Sequence, residues 1–146
     1  MKILLPVDGS PTSLHAVRHA LRLRAEGLDI SFVLANVQPP PSLYEVVVVH
    51  DPQVLDDVRR GAGTDLLAPA EALLEAAGAS WETEVAGGDP GHVLVDLIEN
   101  YGCDAVVMGT GGTVALAVVQ HSPVPVTLVP DPAEAVEPAE PGEPAD

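Results

Sequence analysis

The sequence predicts a three-layer α/β/α domain on an open sheet of five mainly parallel strands, in the order 3-2-1-4-5. Three observations carry that prediction. Short aliphatic and β-branched runs recur at 3–7, 30–37, 105–108 and 124–129, and a partly alternating run lies at 80–85. Continuous apolar runs of that length suit strands buried on both faces. Helix-like segments separate the runs, so each strand-to-strand connection can cross over as parallel pairing requires. Glycine- and proline-bearing turns mark the strand-to-helix boundaries, at Gly9, Gly87-Gly88 and Gly109-Thr110-Gly111-Gly112.

Taken in order, residues 3–7 form the first strand. Asp8-Gly9-Ser10-Pro11 then turns into a helix, with Ser10 as N-cap and Pro11 at the first helical position. That helix runs over 12–25 and stops at Gly27. Leu14, Val17, Leu21 and Leu28 fall near one face, and His15, Arg18, His19 and Arg22 occupy much of the other. The second strand, 30–37, is followed by three consecutive prolines, which forbid regular structure. The valine run 46–49 has strand composition, yet it lies between prolines. It reads either as a sheet member or as a buried lead-in to the next helix.

Residues 52–77 read as one long crossover helix bent near its middle, or as two shorter ones, because Gly61, Gly63 and Pro69 interrupt it. Leu66, Leu67, Ala70, Leu73 and Leu74 face the sheet. The third strand, 80–85, sets Trp81, Thr83 and Val85 against Glu82 and Glu84, which suits a position near an edge. Asp89 and Pro90 cap and start a helix that ends near Asn100, before Gly102. The fourth strand, a short helix over 113–121 and the fifth strand complete the domain. Pro125 removes a ladder donor and argues for an edge. Residues 130–146 carry six acids and five prolines with no basic residue, the composition of a disordered tail. The domain therefore spans 1–130, with an acidic, proline-rich tail over 131–146.

The chain carries 22 acidic residues against 6 basic ones, a net charge of -16. No basic patch exists to neutralise several backbone phosphates, so nucleic acid and anionic membrane surfaces are not expected partners. No run approaches the length of a membrane span, and the expected location is the cytoplasm. The single cysteine, Cys103, excludes a disulfide framework or a cysteine metal cluster. Aromatic residues make up only 3%, so the core must be aliphatic.

Chemistry concentrates in two loops, Asp8-Gly9-Ser10 after the first strand and 109–113 after the fourth. In the 3-2-1-4-5 order these strands are neighbours, and the reversal between them opens a ligand crevice. The glycines permit close backbone approach, and Thr113 offers a hydroxyl beside helix-start amides that attract an anion. A small phosphate-bearing ligand is the functional reading; a tight turn with local capping by Asp8 is the plain one. No Gly-Lys-Ser/Thr and no G-x-G-x-x-G is present, which argues against a phosphate-loop NTPase and a dinucleotide site. His15 and His19 form an i, i+4 pair without a third metal ligand nearby. Ser10, with no G-x-S-x-G elbow around it, does not make a hydrolytic set with His121 or Asp8. No catalytic residue and no metal site is expected, and the protein is read as a non-enzyme.

The chain resembles the universal stress protein family over most of residues 1–130. The resemblance is carried by ILLPVDGSPTSLHAVRHAL, by Asn36-Val37, by EVAGGDPGHVLVDLIENYGCDAVVMGT and by VVQHSPVPVTLV. It implies an adenine-nucleotide-hydrolase-like fold and a cytoplasmic stress-response role as a homodimer, with one branch of the family binding ATP. In that branch the residues corresponding to Asp8 and Val37 flank adenosine, and those corresponding to Gly109 and Gly112 approach the nucleotide. A later glycine followed by Ser or Thr holds phosphate. Here the pair that best matches it is Gly112-Thr113, so Gly112 would have to serve both halves of the motif. The resemblance therefore implies that a loop of roughly ten residues between the halves is missing. ATP binding is then expected to be weakened or lost, with an adenosine-sized pocket remaining and no cofactor required. The alternative is a competent ATP-binding sensor with very slow hydrolysis, and Mg²⁺ enters only with a bound triphosphate. The fifth strand is implied as the homodimer seam, through Val124, Val126, Leu128 and Val129.

Overall fold

A computed structural model describes residues 1–132; the tail expected over 131–146 lies, beyond its first two residues, outside the described region. The chain forms β1 (Lys2–Pro6), α1 (Pro11–Ala25), β2 (Ser31–Gln38), α2 (Leu43–Val48) and α3 (Pro52–Ala76). It continues with β3 (Trp81–Gly87), α4 (Pro90–Tyr101), β4 (Ala105–Gly109), α5 (Gly112–His121) and β5 (Val126–Val129). The five strands make one sheet in the order β3-β2-β1-β4-β5, every pairing parallel.

The layers follow from the two-residue period of the central strands. Ile3, Leu5, Phe32 and Leu34 face α1 and α3, where Ala16, Val17, Ala20, Leu67, Ala70 and Leu74 close one core. Leu4, Val33, Ala35, Val106 and Met108 face the opposite way, onto Leu94, Leu97 and Ile98 of α4 and Ala115 and Val118 of α5. Both faces are therefore dry, which is why these strands read as unbroken apolar runs. Cys103 is buried in the second core, and desolvation pushes its thiol pKa up, so it packs as a small apolar side chain.

The caps decide where the helices start. Ser10 Oγ accepts from Ser13 N at 3.2 Å and Asp89 Oδ2 from His92 N at 3.1 Å, with Pro11 and Pro90 opening the helices behind them. α3 is one continuous helix of 25 residues with Pro69 inside it, the first of the two expected arrangements. β3 and β5 lie at the two sheet edges.

Three expectations are corrected. The valine run 46–49 is neither strand nor buried lead-in. Val46, Val47 and Val48 belong to α2 and are exposed, because Ser42 and Glu45 close a reciprocal capping box that starts a helix. β2 already pairs with β1 and β3, so it offers the run no open edge. Leu28 does not join the apolar face of α1; it follows the turn at Gly27, whose φ is +115°, and is exposed. The last strand begins at Val126 rather than Val124, since Pro123 and Pro125 cannot donate and Ser122 Oγ holds Val124 in a local turn.

Candidate functional site

A cavity of about 250 Å³ opens at the C-terminal ends of β1, β2 and β4, where the sheet order reverses. Asp8, Val37 and Gly109 line it; Gly112 and Thr113 are not among its lining residues, although Gly111 and Val114 on either side of them are. Three of the five expected residues are thus brought together, and the other two stand at the first turn of α5.

The floor is set by β1 and β2. Val7 N donates to Ala35 O at 2.8 Å, and Asn36 Nδ2 donates back to Val7 O at 2.8 Å. Asn36 is buried, and its Oδ1 accepts from Gln38 Nε2 at 2.7 Å. These bonds carry the β1–β2 pairing one residue past the end of β1 and so place Asp8. Asn36 lines the cavity, although it is not among the five site residues expected from the sequence. A lone amide inside the apolar run FVLANV was the signal available, since a buried polar group must have a partner.

Asp8 Oδ1 accepts from Ser10 N at 2.8 Å. Burial raises its pKa, but hydrogen bonds from the Ser10 hydroxyl and amide outweigh that, so the carboxyl lies below its ordinary value of 3.8. The carboxylate stabilises the fold above that value, and the contribution is lost as the pH falls through the lowered one. Urea unfolding of the wild type and Asp8→Asn should show a stability gap that closes between neutral pH and strongly acidic solution. A gap constant with pH would contradict this role.

The opposite wall is glycine by necessity. A Cβ on Gly109 would lie 2.6 Å from Thr12 Cγ2 and 3.0 Å from the Thr12 backbone carbonyl. Gly111 and Gly112 have φ of +113° and +69°, and Gly111 caps α5 without a side-chain bond. No side chain of the N-cap residue therefore takes up the first amides of α5.

No lysine, arginine or histidine among the described residues lines the cavity. Among the described residues no group of three or more His, Cys, Asp or Glu could hold a metal ion. Ser10 Oγ is committed to capping α1. What remains is a binding cleft of apolar walls, one ionised carboxylate, a buried amide and an uncapped helix start. No helix among the described residues is long and apolar enough to cross a membrane.

A parallel sheet in this order, with its cleft at the reversal point, defines an open doubly wound α/β protein. The model of the universal stress protein family matches residues 1–130, and the chain belongs to that family. It is 26% identical over 141 residues to universal stress protein MJ0531 of Methanocaldococcus jannaschii, covering 90% of this chain and 82% of that one. A universal stress protein family structure from Burkholderia pseudomallei superposes with a TM-score of 0.71 at 26% identity, covering 89% of this chain and 96% of its own. An Arabidopsis thaliana family protein with AMP bound gives 0.69 at 21% identity, covering 100% and 99%.

Proposed function

We propose that this chain is a nucleotide-dependent sensor of the universal stress type that binds the nucleoside end of an adenine nucleotide and performs no chemistry on it. The observation carrying this reading is the cleft itself, which gathers Asp8, Val37 and Gly109 around 250 Å³ at the reversal point. Ligand pockets commonly span about 300–1,000 Å³, so this one suits a nucleoside or mononucleotide better than a triphosphate. The AMP held by the Arabidopsis relative is in keeping with that size.

At the phosphate end only Thr110 and Gly111 separate β4 from α5, which Gly112 and Thr113 open. In this reading Asp8 accepts from the ribose, Val37 flanks adenine, Gly109 allows close approach, and Gly112 and Thr113 meet the first phosphate. In this reading so short a connection lacks donors for the outer phosphates, each charge-assisted bond being worth about 1.5–3 kcal/mol. The net charge of -16, with no lysine at the cleft, opposes a triphosphate further. Isothermal titration should show AMP binding at least as tightly as ATP with Mg²⁺. ATP tighter by about tenfold would restore a complete phosphate cradle, and no heat with any adenine nucleotide would sink the reading.

The second element is a homodimer through β5. That strand is a sheet edge with unpaired ladder groups, and Leu128 on it is exposed. Val124, Val126 and Val129 are half-buried against the cores and would support the seam from beneath. Sedimentation at micromolar concentration should give twice the chain mass, and Leu128→Asp should give the monomer. A wild-type monomer would refute the seam.

A further inference from the structure

A second cavity, of about 480 Å³, opens beside the first at the C-terminal ends of β2 and β3, and Pro39 lines both. Its walls are mostly apolar: Pro40 and Pro41, Val46 and Val49 at α2, and Leu55 on α3. One guanidinium, that of Arg59, reaches it, with its side chain only 18% exposed.

Arg59 Nη1 donates to Glu45 Oε2 at 3.1 Å. A guanidinium and a carboxylate often pair through two parallel hydrogen bonds. Here the other Glu45 oxygen is diverted: Oε1 accepts from the Ser42 amide at 3.4 Å and its hydroxyl at 3.3 Å, as part of the α2 capping box. Arg59 Nη2 is left buried without a hydrogen-bond partner. Buried donors are almost always satisfied, and a small turn of the guanidinium would bring this one to an acceptor in the cavity that Arg59 already lines.

We infer that this cavity is a second binding site, separate from the nucleotide cleft, for a small monocarboxylate with an apolar body. The carboxylate accepts from the Arg59 guanidinium, which turns Nη2 toward it; His50 also lines the cavity, and the body lies against Val46, Val49 and Leu55. A single negative charge fits, because Glu45 already offsets part of the guanidinium and Asp56 also lines the cavity. The site does not depend on the nucleotide reading, since none of these contacts belongs to the first cleft.

Octanoate is the probe. On the full chain, methyl NMR at millimolar octanoate should shift Val46, Val49 and Leu55 and leave Leu94 and Val114 of the first cleft unmoved. Octanamide, with the same body and no charge, should bind roughly tenfold more weakly. Arg59→Met should erase that preference, whereas Glu45→Gln, which keeps the cap but frees the guanidinium, should sharpen it. The second variant decides the matter if the first fails to fold. The site is overturned by unmoved α2 and α3 methyls, by shifts at Leu94 and Val114, or by equal binding of octanoate and octanamide.

Discussion

Gly109→Val is expected to destabilise the protein by about 1–3 kcal/mol and to abolish binding in the first cleft. Thr12 could swing its methyl away from a new Cβ 2.6 Å off, but its backbone carbonyl, 3.0 Å off, belongs to the first turn of α1 and cannot. Relief comes only by moving that turn away from β4, and the same turn carries Ser10, Thr12 and Ser13 into the cavity. Denaturant unfolding and AMP titration should change together. Gly87→Ala is the control: it sits on the edge strand β3 with its nearest neighbour, Gln38 O, at 3.9 Å, and should stay within about 0.5 kcal/mol of the wild type. A folded Gly109→Val that still bound AMP normally would show that the β4–α1 contact does not shape the site.

Asn36→Leu has a comparable effect from the other wall. It leaves Val7 O without the amide that now donates at 2.8 Å, and Gln38 Nε2 without its acceptor. A buried carbonyl stripped of its partner costs about 1–3 kcal/mol. Gly63 of α3 makes the fit tighter still, because a Cβ there would already meet Asn36 Oδ1 at 2.9 Å. The larger branched side chain has no space toward α3. Lower stability should accompany weakened AMP binding, since Asp8 follows directly on the residue that Asn36 holds. Asn36→Asp separates the contributions: it keeps the size but presents an oxygen to Val7 O, so it should be no better than leucine. Recovery of stability in the aspartate variant would show that shape, not the hydrogen bond, sets the cost.

The sheet order and the first cleft were legible because their signals are local. Runs such as ILLPV and AVVM declare buried strands, and Ser10-Pro11 and Asp89-Pro90 declare helix starts through caps that reach only three residues. Asp8 and Gly109 then meet because the strand order requires it. Val46, Val47 and Val48 misled because β propensity describes fit to a half-buried pleated surface, and β2, the strand they follow, is paired on both sides. The capping box of Ser42 with Glu45 starts a helix there instead. The Arg59 site was not legible at all. It depends on Glu45, fourteen residues earlier, turning one oxygen each way. Charge pairing of that kind is a property of the folded neighbourhood, not of spacing.

The length of α3 has its own consequence. A helix of 25 residues is about 37 Å long, whereas β2, with eight residues, spans about 27 Å. The buried positions of α3 all lie from Gly63 onward, so its first ten residues form an overhang beyond the core, with only Leu55 and Arg59 half-covered. That overhang can fray while the remainder stays locked to the core, and its amides exchange with solvent through local opening rather than global unfolding. The second cavity is built on this exposed segment and on α2, which has no buried residue. A molecule settling there acts on a segment with little stability of its own, and the protein registers it as slowed exchange in one half of one helix long before its melting temperature moves.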